Sequence, residues 1–134
     1  MIAATELRLV LVTPEKTLLD QSVKGLRFPL FDGQIGVLPG RAPLVGRLGT
    51  GELKIDLPSG SERYFIEGGF AQIKGSIVTL LTNRAVTVSS IDASAAEKDL
   101  ESAMALKPAD DAGFADKQHA IDRARKMISL RRGM

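Results

Sequence analysis

The chain has no cysteine, which excludes disulfide bonds, thiolate nucleophiles and cysteine metal sites. His119 is the only histidine, so neither a histidine-based zinc site nor a Ser-His relay is expected. Tryptophan is absent and aromatic residues make up 4% of the chain, which leaves little for stacking on nucleic-acid bases. The longest apolar runs, 9–12 and 77–81, are far shorter than the roughly 20 residues that cross a bilayer, so no membrane insertion is expected.

The composition is that of a folded chain that changes character near residue 90. With 134 residues, 44% of them hydrophobic and 25% charged, the chain can form one domain, or one domain with an appendage. All of the 13 glycines except Gly113 and Gly133 precede residue 90. An alanine-rich and charged stretch follows. We therefore predict two parts, residues 1–90 and residues 91–134.

The charges are distributed unevenly although the formal net charge is only +2. Residues 117–134 hold six basic side chains against one acidic side chain, a local balance of +5, and the rest of the chain carries −3. The basic segment indicates either an acidic partner or a solvated helix face. Charge alone favours the solvated face.

Alternation with a period of two residues predicts strands in the first part. Leu7, Leu9 and Leu11 are expected on one face of a strand, and the segment 52–57 alternates in the same way. Breakers recur at short intervals, including the tight-turn pairs Asp32-Gly33 and Ser59-Gly60. Short strands at this spacing predict an antiparallel β-sandwich or barrel.

The second part predicts an antiparallel pair of helices. Asp92 is expected to cap the first helix, whose apolar face carries Ala96, Leu100, Ala103 and Met104. Lys107-Pro108 ends it, because a residue before proline is disfavoured in the α region. A linker follows over 110–113, and a second helix from about residue 114 to about residue 132 places Phe114, Ile121 and Ile128 on one stripe. Docking of these narrow stripes is expected to be marginal.

No catalytic constellation is present. The glycines at 46, 49 and 51 do not fit the spacing of a dinucleotide-binding or phosphate-binding loop. We interpret the acidic pair Asp110-Asp111 as part of a linker and His119 as a surface residue. We therefore expect a binding or structural protein without catalytic residues and without a metal site. A small β-sandwich protein that binds a ligand and carries a basic helical tail is one alternative.

Several motifs in order resemble one family. Residues 34–44 read QIGVLPGRAPL, which is similar to the central segment of the ε subunits of F-type ATP synthases, where the pattern is G-[EQ]-[IL]-G-[IV]-L-P-G-H-A-P-L. The segments VTPEK (12–16), GELKI (51–55), GGFAQI (68–73) and VTLL (78–81) resemble further family motifs in the same order. The resemblance covers about residues 5–90.

The resemblance implies a flattened antiparallel β-sandwich followed by an α-helical hairpin. It also implies a non-catalytic subunit of the central rotor that couples proton translocation to ATP synthesis, on the cytoplasmic face of a bacterial inner membrane. The implied partners are the γ subunit and the c-ring, and, through the C-terminal helices, the catalytic α/β subunits. No nucleic acid is expected as a partner. The hairpin of relatives can extend and suppress ATP hydrolysis.

The same resemblance implies roles for individual residues. Phe31, Asp32, Gly33 and Gln34 correspond to the family loop that touches the c-ring. Arg41 stands where the family commonly has histidine, and it is also a candidate for the c-ring or γ interface. Since arginine stays charged, a neutral-imidazole role at that position is in doubt. Arg123, Lys126 and Arg131 are the candidates for contact with an acidic segment of the catalytic β subunit.

ATP binding is a further property of some relatives, through an [IL]-D-x-x-R-A motif at the first helix. Here the segment 91–96 reads IDASAA, so Ala95 stands in place of the arginine. Asp92, Arg123 and Arg125 remain as a possible weak site. Because a bidentate phosphate donor is missing, we expect ATP binding to be weak or absent and assign no cofactor.

Overall fold

The structure, a computed structural model, describes residues 7–133. The chain divides into two compact units, of which the first ends at Thr87 and the second begins at Val88. Within these residues, no helix is long and apolar enough to cross a membrane.

The first unit consists of strands joined by short turns. In chain order the strands are β1 (Leu7–Val12), β2 (Thr17–Val23), β3 (Gly25–Leu30), β4 (Gly33–Val37), β5 (Leu44–Arg47), β6 (Thr50–Leu57), β7 (Gly60–Glu67), β8 (Phe70–Lys74), β9 (Ile77–Leu81) and β10 (Arg84–Thr87). Among the described residues they form two five-stranded sheets. Sheet A has the order β2-β1-β9-β8-β5, and sheet B has the order β10-β7-β6-β3-β4.

The core confirms the predicted sandwich and its alternation. Leu7, Leu9 and Leu11 are buried in one cluster with Leu53 and Ile55 of the other sheet. Neighbouring strands are antiparallel except β1 and β9, which run parallel with Arg8 opposite Ile77 and Val12 opposite Leu81. Alternation within a strand does not determine the direction of its partner, so this pair was not foreseen.

Three connections between the sheets meet at one end of the sandwich and are joined by hydrogen bonds. The Leu48 N–H donates to the carbonyl of Gly69 at 2.9 Å, and the Gly68 N–H donates to the carbonyl of Gly49 at 3.1 Å. The buried hydroxyl of Thr82 lies 3.2 Å from the Glu67 carbonyl oxygen and 3.1 Å from that of Arg84. The chain therefore crosses between the sheets three times in one hydrogen-bonded cluster.

Glycine is required in this cluster. Gly68 and Gly69 have φ angles of +64° and +107°, which L side chains rarely adopt. A Cβ on Gly69 would lie 1.8 Å from the carbonyl oxygen of Leu81. The segment GGFAQI (68–73) thus begins with two glycines because both φ angles are positive and the main chain of Leu81 leaves no room for a side chain at position 69.

The second unit contains a short 3-10 helix (Val88–Ser90), α1 (Ala93–Met104) and α2 (Asp111–Arg132), and the two α-helices pack together as predicted. Asp92 caps α1, since its Oδ1 accepts from the Ala95 N–H at 3.2 Å. Asp110 caps α2 in the same way, with its Oδ1 accepting from Gly113 N–H at 2.7 Å. This cap starts α2 three residues before the predicted position, so the prediction of a linker over 110–113 is wrong beyond residue 110.

The turn end of the hairpin is more exposed than the sequence predicts. Ala96, Ala103, Ile121 and Ile128 are buried, but Met104 and Phe114 are 53% and 60% exposed. Their assignment to packed stripes is wrong. The helix α1 ends at Met104, three residues before Lys107, and α2 begins at Asp111, so both side chains lie beside the turn of the hairpin. The buried apolar side chains of α2 therefore lie in its second half, between residues 121 and 130.

Candidate binding surface and regulatory helices

The outer face of sheet A carries an apolar row at one end. Val12 is opposite Leu81, Leu81 is opposite Phe70, and Phe70 is opposite Arg47, so these four side chains are lateral neighbours across four strands. We call Val12, Leu81 and Phe70 the apolar row, and Arg47 borders it. Phe70 and Leu81 are 56% and 50% exposed. An open groove of about 580 Å³ is lined by the apolar row, by Arg47 and by residues of the three connections between the sheets.

The apolar row continues into the predicted c-ring turn. Phe31 and Asp32 form the turn between β3 and β4, and Gly33 and Gln34 begin β4. All four residues are exposed, Phe31 by 73%. The Arg47 guanidinium carbon lies 5.1 Å from the centroid of the Phe31 ring, a cation–π distance, and the Phe31 N–H donates to the Arg47 carbonyl at 2.8 Å. The turn and the apolar row thus form one surface.

Arg41 does not join this surface. It is exposed in the loop between β4 and β5, and the five residues of β4 (Gly33–Val37) separate that loop from the turn. At about 3.4 Å per residue, β4 holds the two about 17 Å apart. Pro39, Gly40 and Pro43 belong to the same loop as Arg41, so they shape the chain at the far end of β4 and not beside the turn.

The opposite end of the outer face of sheet A carries charged side chains. Arg8 is opposite Ile77, which is opposite Lys74, and the Arg8 Nε donates to Asp20 Oδ1 at 2.5 Å. This hydrogen bond is the main reason why the pKa of Asp20 is lowered and that of Arg8 is raised. Ile77 is 47% exposed among these charged side chains, so this end is mixed, whereas Val12, Phe70 and Leu81 are apolar neighbours at the end next to the turn.

Replacing Arg8 by alanine should raise the pKa of Asp20 toward its ordinary value, measured by NMR titration of the side-chain carboxyl. Since the folded-state pKa is depressed, the contribution of Asp20 to stability is present at neutral pH and is lost as the pH falls through that pKa. Lys74→Ala, on the same face without this contact, is the control. An unchanged Asp20 pKa in Arg8→Ala would show that the pair does not form in solution.

The candidate regulatory residues on α2 are only partly accessible. Arg123, Lys126 and Arg131 are half-buried, and Arg131 Nε donates to the carbonyl of Ile91 at 3.0 Å. Arg123 and Lys126 therefore do not lie on the fully exposed side of α2. Arg125 and Arg132 are more exposed and border an open groove of about 420 Å³ between α1 and α2.

The three residues of the possible ATP site do not converge. Arg123 and Arg125 are two positions apart on α2, and such pairs do not share a face of a helix. The carboxylate of Asp92 caps α1, and only Arg125 of the three lines the groove between the helices. In the described residues 7–133, no group of three or more histidine or acidic side chains is placed to hold a metal ion.

The basic balance of the C-terminal segment has a structural explanation within α2. Asp110 and Asp111 lie at the N-terminal end of the helix, and Arg131 and Arg132 lie in its last turn. This distribution complements the partial positive charge of free N–H groups at one end and the partial negative charge of free carbonyls at the other. Helix stabilisation thus accounts for part of the charge asymmetry without a partner.

Comparison with known proteins gives one consistent result. A family model described as "ATP synthase, Delta/Epsilon chain, beta-sandwich domain" matches residues 6–88. The "ATP synthase epsilon chain" of Rhodopirellula baltica is 42% identical over 126 residues, which cover 94% of this chain and 98% of that protein.

Two solved structures share the fold. A chain of the mitochondrial ATP synthase of Euglena gracilis (OSCP/F1/c-ring in rotational state 1) is similar with a TM-score of 0.83 and 26% identity, over 93% of this chain and 81% of that chain. A chain of the central stalk and c-ring of the Tetrahymena thermophila mitochondrial ATP synthase has a TM-score of 0.74 and 14% identity, over 93% and 96% of the two chains. The second likeness concerns the fold alone.

Proposed function

Because this chain belongs to the ATP synthase epsilon family, as a non-catalytic component of the central stalk, we propose that its sandwich joins the γ subunit to the c-ring. In that position it helps to couple proton translocation to ATP synthesis on the cytoplasmic face of a bacterial membrane. The helical hairpin is proposed to restrain ATP hydrolysis.

The observation that supports the γ contact is the apolar row. Phe70 and Leu81 expose large apolar surface side by side on a sheet face, next to an open groove. Contiguous exposed apolar surface on a soluble domain marks a protein-binding site, and aromatic side chains such as Phe70 are typical of its centre. We assign the apolar row to γ, because large exposed apolar side chains suit a lasting contact between two subunits.

The c-ring contact is assigned to the turn at the same end. Asp32 and Gln34 expose polar groups at the turn, and Phe31 is held beside them by Arg47. A narrow turn that carries one aromatic and two polar side chains suits a contact with the loops of a ring of small subunits. Arg41, at the other end of β4, is not assigned to the c-ring contact.

The regulatory assignment concerns Arg123, Lys126 and Arg131. These half-buried side chains reach an acidic segment of the catalytic β subunit only if the hairpin rearranges, since Arg131 already binds the Ile91 carbonyl. The exposed turn end of the hairpin lowers the cost of such a rearrangement, because Met104 and Phe114 lose little burial.

The test compares two phenylalanines in the full-length chain. Phe70→Ser should weaken binding to the organism's own γ subunit about 30-fold or more, as the loss of a buried interface aromatic does. Phe114→Ser removes an equally exposed phenylalanine from α2 and should leave the affinity unchanged. Calorimetric titration of purified γ measures both.

Equal affinities of Phe70→Ser and the unchanged chain would argue against the apolar row as the γ interface. Weakening by Phe114→Ser alone would instead place that interface on the helical unit. Circular dichroism of each variant shows that both proteins remain folded before their affinities are compared.

A further inference from the structure

The open end of the helical hairpin carries a long-range hydrogen bond from a charged group. Arg131 lies in the last turn of α2, and Ile91 immediately precedes Asp92, the cap of α1. The Arg131 Nε donates to the Ile91 carbonyl oxygen at 3.0 Å, across 40 residues of sequence and in a partly buried position. The bond therefore connects the last turn of one helix to the residue that leads into the other.

The Ile91 carbonyl lies outside the hydrogen-bond series of α1. The Ala96 N–H, in the first turn of that helix, donates to the Asp92 carbonyl at 2.9 Å. The Ile91 N–H donates backward, to the carbonyl of Val88 in the 3-10 helix, at 3.2 Å. Helix formation alone therefore leaves the Ile91 carbonyl without a donor, and Arg131 supplies one.

The apolar side chains that α1 buries in the hairpin are small. The buried side chains of α1 are the alanines Ala96 and Ala103, and α2 contributes Ile121, Ala124, Ile128 and Leu130. Alanine adds little apolar area to a contact between helices. The turn end exposes Met104 and Phe114. A charge-assisted hydrogen bond at the open end thus adds to the burial of Ile121, Ile128 and Leu130 in keeping the helices together.

We propose that the Arg131–Ile91 hydrogen bond is a latch that holds the open end of the α1–α2 hairpin closed. The latch lies entirely within the second unit, so it stands whether or not the proposed contacts with γ, the c-ring and the catalytic subunits are correct. The acceptor is the main-chain carbonyl of residue 91, which is present whatever side chain stands there. A substitution therefore removes a group of the latch only if it replaces Arg131. The latch acts at the open end, and at the turn end the Lys117 Nζ donates to the Leu106 carbonyl at 3.0 Å.

Amide hydrogen exchange of the full-length chain, followed by NMR, tests the latch. Arg131→Ala should accelerate exchange of the Ile91 and Ala96 amides about tenfold, because a hydrogen bond to a charged group is lost and the open end separates more often. These two amides are far from the substitution in sequence, so fraying of the end of α2 alone does not move them.

Arg132→Ala is the matched control. It removes the same charge from the same helical turn, and Arg132 is an exposed neighbour of Arg131. The control should change exchange at Ile91 and Ala96 less than twofold, since a charge effect at the helix end is small. Equal acceleration in both variants would overturn the latch in favour of a general charge effect, and unchanged exchange in Arg131→Ala would overturn it outright. If Arg131→Ala loses helical circular dichroism, Arg131→Met keeps a long unbranched side chain without a hydrogen-bond donor and is measured in its place.

Discussion

Replacing Gly69 by alanine should lower the melting temperature of the sandwich by more than about 10 °C, or prevent its folding. The Cβ atom would lie 1.8 Å from the Leu81 carbonyl oxygen, and the φ angle of +107° disfavours any L side chain. The clash is with main chain, so it is relieved only by moving a strand of sheet A. We expect a loss of at least about 4 kcal/mol in the free energy of unfolding, a large fraction of the 5–15 kcal/mol typical of a domain.

Gly36→Ala is the control for this prediction. Gly36 lies in β4 with ordinary φ, and a Cβ there would meet nothing within 4 Å. Its melting temperature should stay within a few degrees of that of the unchanged chain, measured by scanning calorimetry. A Gly69→Ala protein that melts as Gly36→Ala does would show that the connections at this end of the sandwich rearrange easily.

The strands and caps were predictable because their causes are local. Alternation placed Leu9 and Leu53 in the core, and the short side chain of Asp92 caps α1 as its sequence position indicates. The start of α2 was misplaced because Asp110 and Asp111 were interpreted as linker, although an aspartate before a helical segment is also a cap. The parallel pairing of β1 with β9 depends on the path of the whole chain, which no local pattern contains.

The binding surface was only partly predictable. The turn at Phe31 followed from the resemblance, but the apolar row depends on the lateral register of three strands, which brings Val12, Phe70 and Leu81 together. One sequence signal did exist. Residues 77–81 read IVTLL, with apolar side chains at both odd and even positions, and such a strand has apolar side chains on both faces of its sheet. Arg47 became part of the site only through its position over the Phe31 ring.

Removing residues 91–134 should raise ATP hydrolysis by the assembled enzyme severalfold at low salt, while binding to γ is retained. The sandwich forms a compact unit that ends at Thr87, so the truncation leaves its strands and the apolar row in place. The same truncation removes all the basic side chains proposed to restrain the catalytic subunits. Steady-state hydrolysis by the reconstituted enzyme measures the effect. Unchanged hydrolysis after truncation would contradict the regulatory role of the hairpin and leave the stalk assignment intact.

Replacing Arg123, Lys126 and Arg131 together by alanine should produce part of the same rise. Each exposed ion pair contributes only about 0–1 kcal/mol, so the restraint depends on several acting together. The difference between this variant and the unchanged enzyme should shrink as ionic strength rises, because the Debye length falls from about 10 Å at 0.1 M salt to about 3 Å at 1 M. A matched variant with the exposed residues Lys24, Lys98 and Lys107 replaced by alanine changes the net charge equally and should leave hydrolysis unchanged. If both triple variants raise hydrolysis to the same extent, total charge and not the proposed contact is responsible. The rise should also stay below that of the truncation, since the loss of Arg131 opens the hairpin and offsets part of the gain.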